Sequence, residues 1–193
     1  MSEIFNLRTF SYIMSVDNGG APNVENDIFT LAICKPVIRR CIRIGNYLVG
    51  ISGEALKLGT KSKQIIFIAK ITEIMTMKEY AKRFPVRADS IYTVDGKLRP
   101  NKFHCNEDIE RDLGGKNVIL STDFIFFGNK HVPVPHELKE IIPGRGHQSR
   151  KNDPYVNKII ALFANYKIIH GSGKIGEHNT ISTKGCRPPP QQC

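Results

Sequence analysis

Apolar runs separated by polar turns predict a mixed fold in which strands alternate with short helices. Five stretches predict strands, because they are rich in branched and aromatic residues and stop at glycine or polar clusters. They cover residues 9–16, 28–34, 47–52, 65–71 and 117–127. The fourth, IIFIAKI, is apolar at successive positions, which is typical of a strand buried on both faces. The fifth is interrupted at Ser121-Thr122-Asp123.

Four short patterns predict helices. Pro36 favours the first helical position, and on that helix the spacing predicts a buried stripe of Val37, Ile38 and Cys41, with Arg39, Arg40 and Arg43 sharing the other face. Thr76 and Glu79 have the spacing of a capping box. Pro135 precedes a short helix, and Asp153-Pro154 begins the last one, whose apolar residues recur at helical spacing. Residues 85–115 are polar and irregular, which predicts a long loop.

The C-terminal residues differ in composition from the rest of the chain. Residues 169–193 are rich in Gly, Ser, Thr, Pro and Gln and offer little to bury, which predicts a disordered tail. The remaining residues, 1–168, are long enough for one well-buried core, and we expect a single domain there.

Charge favours an acidic partner. Lys and Arg number 28 against 18 Asp and Glu, a formal charge of +10. Such an excess biases encounter toward nucleic acid, nucleotides or another acidic surface, although solubility alone also explains it. No apolar run is long enough to cross a bilayer, and the N-terminus lacks the pattern of a secretory signal. We therefore expect a cytoplasmic protein without a membrane partner.

The cysteines indicate neither disulfides nor a metal. Five cysteines without CxxC spacing suit a reducing compartment. Cys34 and Cys41 are expected to pack as small apolar residues. Cys105 follows His104, but two adjacent candidate ligands without others at finger spacing do not predict zinc. No cofactor is predicted.

Several segments together resemble a known family. DNGGAPN, TLAICKPVIRR, GNYLVG, STDFIFFG and IPGRGHQSR, in that order, resemble the second type of nucleotide-modification-associated domain, found in phages and bacteria near genes that alter DNA bases. The resemblance covers Phe10 to Phe163. It implies a role linked to DNA modification or phage–host conflict, with nucleic acid, a nucleotide or DNA-modification enzymes as partners.

A more distant resemblance concerns the fold. A short helix, a glycine-led turn and a strand, followed by IIFIAKITEI, look like the layout of PUA-like domains of the EVE and ASCH branches. This implies an α+β fold: a small mixed β-barrel decorated by short helices, with a C-terminal amphipathic helix. EVE-type members take a flipped base into a pocket. Many such domains have an aspartate at the position of Asn46. A role that depends on the carboxylate of that aspartate is therefore not expected for Asn46.

A base-binding pocket needs hydrogen-bond partners for the base edge and flat groups for its faces. Candidates for these roles are Tyr12, Asp17, Asn18, Asn23, Ser52, Asp123 and Phe124. An equal alternative for Asp17 and its neighbours is that they only form a turn. For Asp123 the alternative to base binding is a β-bulge, and aromatic residues in strands more often pack in the core than stack on a base. Phosphate contacts are predicted for Lys35, Arg39, Arg40, Arg145, His147, Ser149 and Arg150, with a solvated helix face or a flexible loop as the alternative.

Two classes of function remain open. The first is a non-catalytic reader that binds a modified base, with the glycine turn, the arginine helix and the late histidine loop around one cavity. The second is an enzyme that modifies a base or nucleotide, with Asp17, Asp123 and His147 as candidate acids and bases. No nucleophile–base pair is visible from spacing, which favours the reader. A phage protein that sequesters a signalling nucleotide is a third alternative.

Overall fold

Strands dominate the fold. A computed structural model of the chain describes residues 7–144 and 146–179. The strands in these residues are β1 (Thr9–Met14), β2 (Asn23–Glu25), β3 (Ile28–Leu31), β4 (Tyr47–Ser52), β5 (Gln64–Lys70), β6 (Glu73–Thr76), β7 (Asn117–Ser121), β8 (Asp123–Phe126), β9 (Val132–Pro133), β10 (His147–Gln148) and β11 (Gly173–Lys174).

Helices are short except at the C-terminal end. The α-helices are α1 (Pro36–Cys41), α2 (Met77–Arg83), α3 (Ile109–Leu113) and α4 (Val156–His170). Further 3₁₀ turns cover Glu54–Leu56, Asn106–Asp108, Gly128–Lys130, His136–Ile141 and Arg150–Tyr155. The predicted capping box starts α2, where Thr76 Oγ1 accepts from Glu79 N at 3.2 Å and the Glu79 carboxylate accepts from Thr76 N at 2.7 Å. None of the helices in the described residues is long and apolar enough to cross a membrane.

The strands form two sheets that share one continuous antiparallel pair. The larger sheet has the order β10-β1-β4-β5-β8-β11, with β9 also paired to β5, and the smaller has the order β2-β3-β7-β6. β5 leads into β6 while β7 leads into β8, so the pair passes from one sheet to the other. Ser121 marks this bend: its Oγ donates to Lys70 O at 2.6 Å and accepts from Asp123 N at 3.0 Å. The interruption at residues 121–123 is thus the point where the chain changes sheet.

Apolar side chains fill the space between the sheets and cover their outer faces. Phe29, Phe67 and Phe124 pack between the sheets, with ring centroids 4.7 and 5.8 Å from that of Phe29. Helix α4 covers the outer face of the larger sheet with Ile159 and Phe163. Helix α2 and parts of residues 91–113 cover the outer face of the smaller sheet. Because β5 lies under both layers, the run IIFIAKI is buried on both faces, as its pattern predicts.

The α+β class predicted from the sequence is confirmed. The described strands form two open sheets, however, and not a closed barrel, because β10 and β11 at the ends of the larger sheet do not pair with each other. Gly50 in β4 makes room for a core aromatic residue, because a Cβ at this position would lie 2.1 Å from the Phe67 ring.

Helix α1 buries a different face from the predicted one. Ile38, Arg39 and Ile42 are fully buried, while Val37 and Cys41 are exposed. The prediction was wrong because it treated every arginine as a surface residue. The Arg39 guanidinium finds backbone carbonyls to bond in the interior, so it replaces Cys41 on the buried face.

Two segments expected to be irregular carry structure. Residues 85–115 contain a bridge between Tyr92 and Leu98, the 3₁₀ turn Asn106–Asp108 and α3. In the expected tail, α4 extends to His170 and β11 pairs in parallel with β8. Ile175 N and Gly176 N then both donate to Phe126 O. Residues 169–179 of the expected disordered tail therefore carry ordered structure, and residues 180–193 lie outside the described part of the chain.

Candidate functional site

A cavity of about 470 Å³ opens where β1 ends and α1 begins. Four chain segments line it: the end of β1 with the glycine turn, the entry to α1, the loop before α3, and His147. The lining residues are Tyr12, Met14, Ser15, Val16, Asn18, Gly20, Ala21, Ile33, Cys34, Lys35, Pro36, Val37, Phe103, His104, Arg111 and His147. No carboxylate-bearing side chain is among them. The structure thus brings the glycine turn, the start of the arginine helix and the histidine loop to one cavity.

Cys34 lies at the junction between β3 and α1, in a backbone conformation that is rare for residues with a side chain. Its φ is 59° and that of Lys35 is 44°, both in the left-handed region. Two such residues in succession make a sharp strand-to-helix turn, and strain of this kind clusters at functional sites. The cysteine lines the cavity. The expectation that it packs as a small apolar residue is wrong.

His104 connects Cys34 to a buried carboxylate. Its Nε2 lies 3.2 Å from Cys34 Sγ, and its Nδ1 is hydrogen-bonded to Asp112. Asp112 also accepts from Cys34 N at 2.9 Å and from the Tyr92 hydroxyl at 3.0 Å. Asp112, His104 and Cys34 therefore form a relay in which the two nitrogens of one imidazole ring face a carboxylate and a thiol. We call these three residues the thiol relay.

The surroundings of the thiol relay favour a charged imidazole. The Asp112 side chain is fully buried and the His104 side chain is 9% exposed. Burial lowers the pKa of His104, but the hydrogen bonds to Asp112 and Cys34 outweigh burial and raise it to about 10. Burial raises the pKa of Asp112, and the bond from His104 outweighs it, so the net shift is downward. Reactive cysteines in proteins commonly lie beside such an imidazolium, which stabilises the thiolate.

Arg39 stabilises the thiol relay through hydrogen bonds to the backbone. Its Nε donates to Cys34 O at 2.7 Å, and its two amino groups donate to Asp112 O at 2.5 Å and Asn117 O at 2.8 Å. The guanidinium packs on Gly115, where a Cβ would lie 2.3 Å from Arg39 Cζ. Arg39 is fully buried, so it fixes the backbone of two relay residues and does not reach solvent, where the predicted phosphate contact would lie.

The same three residues could also hold a metal ion. One ligand atom from each of Cys34, His104 and Asp112 lies within 4.8 Å of the others. The imidazole, however, stands between the carboxylate and the thiol and bonds to each through a different nitrogen. An ion bound by either nitrogen would have to displace one of these bonds, so the arrangement suits proton transfer along the ring better than shared coordination.

Three further polar side chains, Tyr12, Lys35 and His147, line the same cavity. The Tyr12 hydroxyl is buried and has no hydrogen-bond partner within residues 7–144 and 146–179. Lys35 Nζ lies 4.6 Å from the Tyr12 ring centroid and 3.3 Å from Ile13 O. Burial lowers the pKa of Lys35, and burial together with the charge of Lys35 lowers that of His147. The cavity therefore offers the unsatisfied Tyr12 hydroxyl together with Lys35 and His147, in addition to Arg111.

Of the predicted base-binding residues, Tyr12 and Asn18 line the cavity and the others do not. Asp17 is buried and its carboxylate accepts from His178 Nδ1 at 2.5 Å and Asn179 Nδ2 at 2.8 Å. Asn23 Nδ2 donates to Gly19 O, and Ser52 Oγ accepts from Gln64 N. These three side chains stabilise turns and strand ends.

Asp123 and Phe124 lie elsewhere in the larger sheet. Asp123 forms an ion pair with Lys167 of α4 at 2.6 Å, and Phe124 lies in the core. Asp17, Asp123 and His147, the candidate acids and bases, are therefore not gathered at one place, because each carboxylate pairs with a different C-terminal residue.

Of the predicted phosphate-binding residues, Lys35 and His147 line the cavity. Arg40 is exposed and donates to Gly114 O at 3.2 Å. Ser149 precedes the 3₁₀ turn that begins at Arg150, which is also exposed, and neither lines the cavity. Arg145 lies outside the described residues.

A family model described as nucleotide modification associated domain 2 matches residues 6–177 of the chain. The chain belongs to this family. Comparisons with curated proteins and with solved structures give no significant match. The match extends through β11 and ends at residue 177, just before His178, so this nucleotide modification associated domain includes part of the expected tail. It also includes the whole thiol relay.

Sequence reasoning missed His104 and Asp112 because nothing local links them to Cys34. The sequence separation from Cys34 is 70 residues for His104 and 78 for Asp112. The one local signal was Cys34 itself, placed between an apolar run and Lys35-Pro36. Such a strand–Cys–helix junction is where enzymes place nucleophiles on sharp turns.

Proposed function

We propose that this nucleotide modification associated domain is an enzyme in which Cys34 attacks an electrophilic carbon of a base or nucleotide. The observation that carries the proposal is the thiol relay in the wall of a 470 Å³ cavity. A nucleophile within hydrogen-bond reach of a base that is oriented by a third group is the general signature of covalent catalysis.

The relay supports a two-step group transfer or hydrolysis. Cys34 Sγ bonds to the electrophilic carbon of a carbonyl or amidine group, the bond to the leaving group breaks, and the leaving group takes the proton of His104. Water or a second acceptor then attacks the same carbon while His104 removes its proton, and the sulfur is released. Asp112 keeps Nδ1 protonated and the ring in place throughout.

The nature of the cavity supports a nucleotide as substrate. Lys35 and Arg111 line it with positively charged groups, and His147 adds an imidazole that can form hydrogen bonds. Arg111 also pairs with Asp108 at 2.6 Å, but no carboxylate of the described residues lines the cavity, which suits an anionic ligand. Phe103 offers a flat ring and Tyr12 a hydroxyl that can bond a base edge or a ribose. Family membership is consistent with this class of ligand.

Thiol alkylation tests the nucleophile before a substrate is known. We expect iodoacetamide at neutral pH to modify Cys34 at least about tenfold faster than the exposed Cys41, measured by peptide mass spectrometry, because His104 Nε2 lies 3.2 Å from Cys34 Sγ and a neighbouring imidazole activates a cysteine as a nucleophile. Cys41 serves as the internal control. Equal rates at the two cysteines would contradict the proposal.

Turnover is then sought by incubating the protein with pools of modified nucleotides and oligonucleotides and analysing the nucleosides by mass spectrometry. A product should form with the wild-type protein and with Cys41→Ser, and should be absent with Cys34→Ser. Product formation by Cys34→Ser at the wild-type rate would exclude Cys34 as the nucleophile.

A non-catalytic reader is the second candidate, and the Tyr12 hydroxyl favours it. A buried hydroxyl without a partner costs about 1–3 kcal/mol, and a bound base can satisfy it. We expect Tyr12→Phe to unfold at a slightly higher temperature than the wild type and to lose its thermal shift with bound nucleosides. Ligands returned unaltered by the wild-type protein would support the reader, or a protein that sequesters a nucleotide. A lower melting temperature for Tyr12→Phe without ligand would show that the hydroxyl already has a partner.

A further inference from the structure

A second cavity, of about 320 Å³, adjoins the first and shares Phe103 with it. Its walls come from residues 85–91 and 99–103. The segment from Arg99 to His104 therefore lines both cavities, with Arg99 and Lys102 in the second, His104 in the first and Phe103 in both. Asn101 holds this segment in shape, because its Oδ1 accepts from both Phe103 N and His104 N at 2.8 Å.

The second cavity has the chemistry of an anion site. Arg87, Arg99 and Lys102 line it, and among the described residues no carboxylate-bearing side chain does, although Arg87 is paired with the buried Asp89 at 3.5 Å. Arg87 is committed to the interior, where it donates to Tyr80, Glu25 O and Asn23. Arg99 is fixed at the wall by bonds from Nη1 to Pro85 O at 2.6 Å and Ser90 O at 3.3 Å, and Lys102 is exposed.

Two further features indicate that a ligand completes this cavity. The Ser90 hydroxyl is buried, lines the cavity, and has no hydrogen-bond partner in the described part of the chain. Phe103 is held against Gly20, where a Cβ would lie 2.6 Å from its ring, and Lys102 Nζ lies 5.4 Å from the ring centroid. Phe103 thus lies between two cavities that no described carboxylate lines. This arrangement suits a ligand in which flat bases alternate with anionic phosphates.

We propose that the second cavity binds the phosphate of a neighbouring nucleotide, so that the substrate is a single-stranded oligonucleotide and not a free nucleotide. The reacting nucleotide occupies the first cavity, Phe103 stacks on a base, and Lys102, Arg99 and Ser90 contact the adjoining phosphodiester. This inference rests on the proposed function for the location of the reacting nucleotide, but its test measures binding alone.

The test compares ligands of increasing length on the full chain carrying Cys34→Ser, which removes the nucleophile. Mixed-sequence single-stranded DNA pools of one, two and four nucleotides are titrated at fixed low salt, with fluorescence anisotropy or calorimetry as readout. We expect the tetranucleotide pool to bind at least about tenfold more tightly than the mononucleotide pool, because a second charge-assisted contact adds to the first. Equal affinities would overturn the proposal.

Point variants locate the extra contact. Lys102→Ala should weaken tetranucleotide binding by roughly tenfold and reduce the slope of log affinity against log salt by about 0.7, leaving mononucleotide binding unchanged. Lys78→Ala is the charge-matched control, since Lys78 is exposed on α2 and lines neither cavity. Equal losses of tetranucleotide affinity in Lys102→Ala and Lys78→Ala would show that only the overall positive charge matters and that Lys102 contacts no specific phosphate. This result would overturn the proposal.

Ser90→Ala supplies a variant whose folding is not in question. Its hydroxyl has no partner in the free protein, so the melting temperature should stay the same or rise while tetranucleotide binding weakens. Unchanged tetranucleotide affinity in Ser90→Ala and Lys102→Ala together would remove the second cavity from the substrate path. Failure of Cys34 to react would instead contradict the proposed function and leave these binding results intact.

Discussion

Two histidine–aspartate pairs lie in the described part of this chain, and their surroundings differ. In both, Nδ1 of the imidazole bonds to a fully buried carboxylate: His104 to Asp112 and His178 to Asp17. Nε2 of His104 contacts the thiol of Cys34 at the cavity. Nε2 of His178 is buried, and its ring lies 4.6 Å from that of Phe126. Only the first pair therefore has a reactive group to act on.

The difference shows what makes such a pair a candidate for catalysis. The His178–Asp17 pair, helped by two bonds from Asn179 to Asp17, fastens the C-terminal segment to the glycine turn. The His104–Asp112 pair is held by Arg39 and Tyr92 and presents its free nitrogen to a nucleophile. A histidine–aspartate pair therefore stabilises the C-terminal segment in one place and forms a candidate relay in the other. The difference is the group that contacts Nε2, which is the Cys34 thiol only in the His104–Asp112 pair.

Replacing each histidine in turn should separate the two roles most strongly. We expect His104→Ala to slow iodoacetamide alkylation of Cys34 by about tenfold or more, because Cys34 loses the imidazole that lies beside its sulfur. We expect His178→Ala to leave that rate within about twofold but to lower the free energy of unfolding by about 1–3 kcal/mol, since a buried carboxylate loses a donor. Peptide mass spectrometry and urea unfolding give the two readouts. Equal effects of the two changes on alkylation would contradict the distinction.

Replacing Arg39 tests how strongly its hydrogen bonds stabilise the backbone around the His104–Asp112 pair. Arg39→Ala leaves one buried and two partly buried carbonyl groups without their donor and should lower the free energy of unfolding by about 3 kcal/mol or more. The neighbouring Arg40 is exposed, so Arg40→Ala should change stability by less than about 0.5 kcal/mol. Denaturant unfolding measures both. A small effect of Arg39→Ala would mean that water replaces the guanidinium.

The pH dependence of stability should report on the His104–Asp112 pair. The folded pKa of His104, about 10, lies above its ordinary value of 6.5, so the native state holds a proton that the unfolded state has lost between these values. Its stabilising contribution is complete below pH 6.5 and declines as pH rises to 10. We expect His104→Gln to flatten the fall in stability across this window relative to the wild type, measured by denaturant unfolding at a series of pH values. An identical pH profile for wild type and His104→Gln would contradict the raised pKa.

Local patterns predicted many of the elements. The strands at residues 47–52 and 65–71, the capping box at Thr76 and the proline start of α1 follow from neighbouring residues alone, because turns, caps and alternation act over a few positions. Family membership also followed from the order of short motifs, and a family model confirms it.

The sequence by itself thus determined the α+β class, most strand positions, the basic charge and the family. Tertiary structure alone decided that Arg39 is buried, that residues 170–179 belong to the fold, and that His104 and Asp112 reach Cys34 from 70 and 78 residues away. The physical reason is distance along the chain. Hydrogen bonds and burial between remote segments depend on how the two sheets stack, and no pattern of neighbouring residues records that stacking.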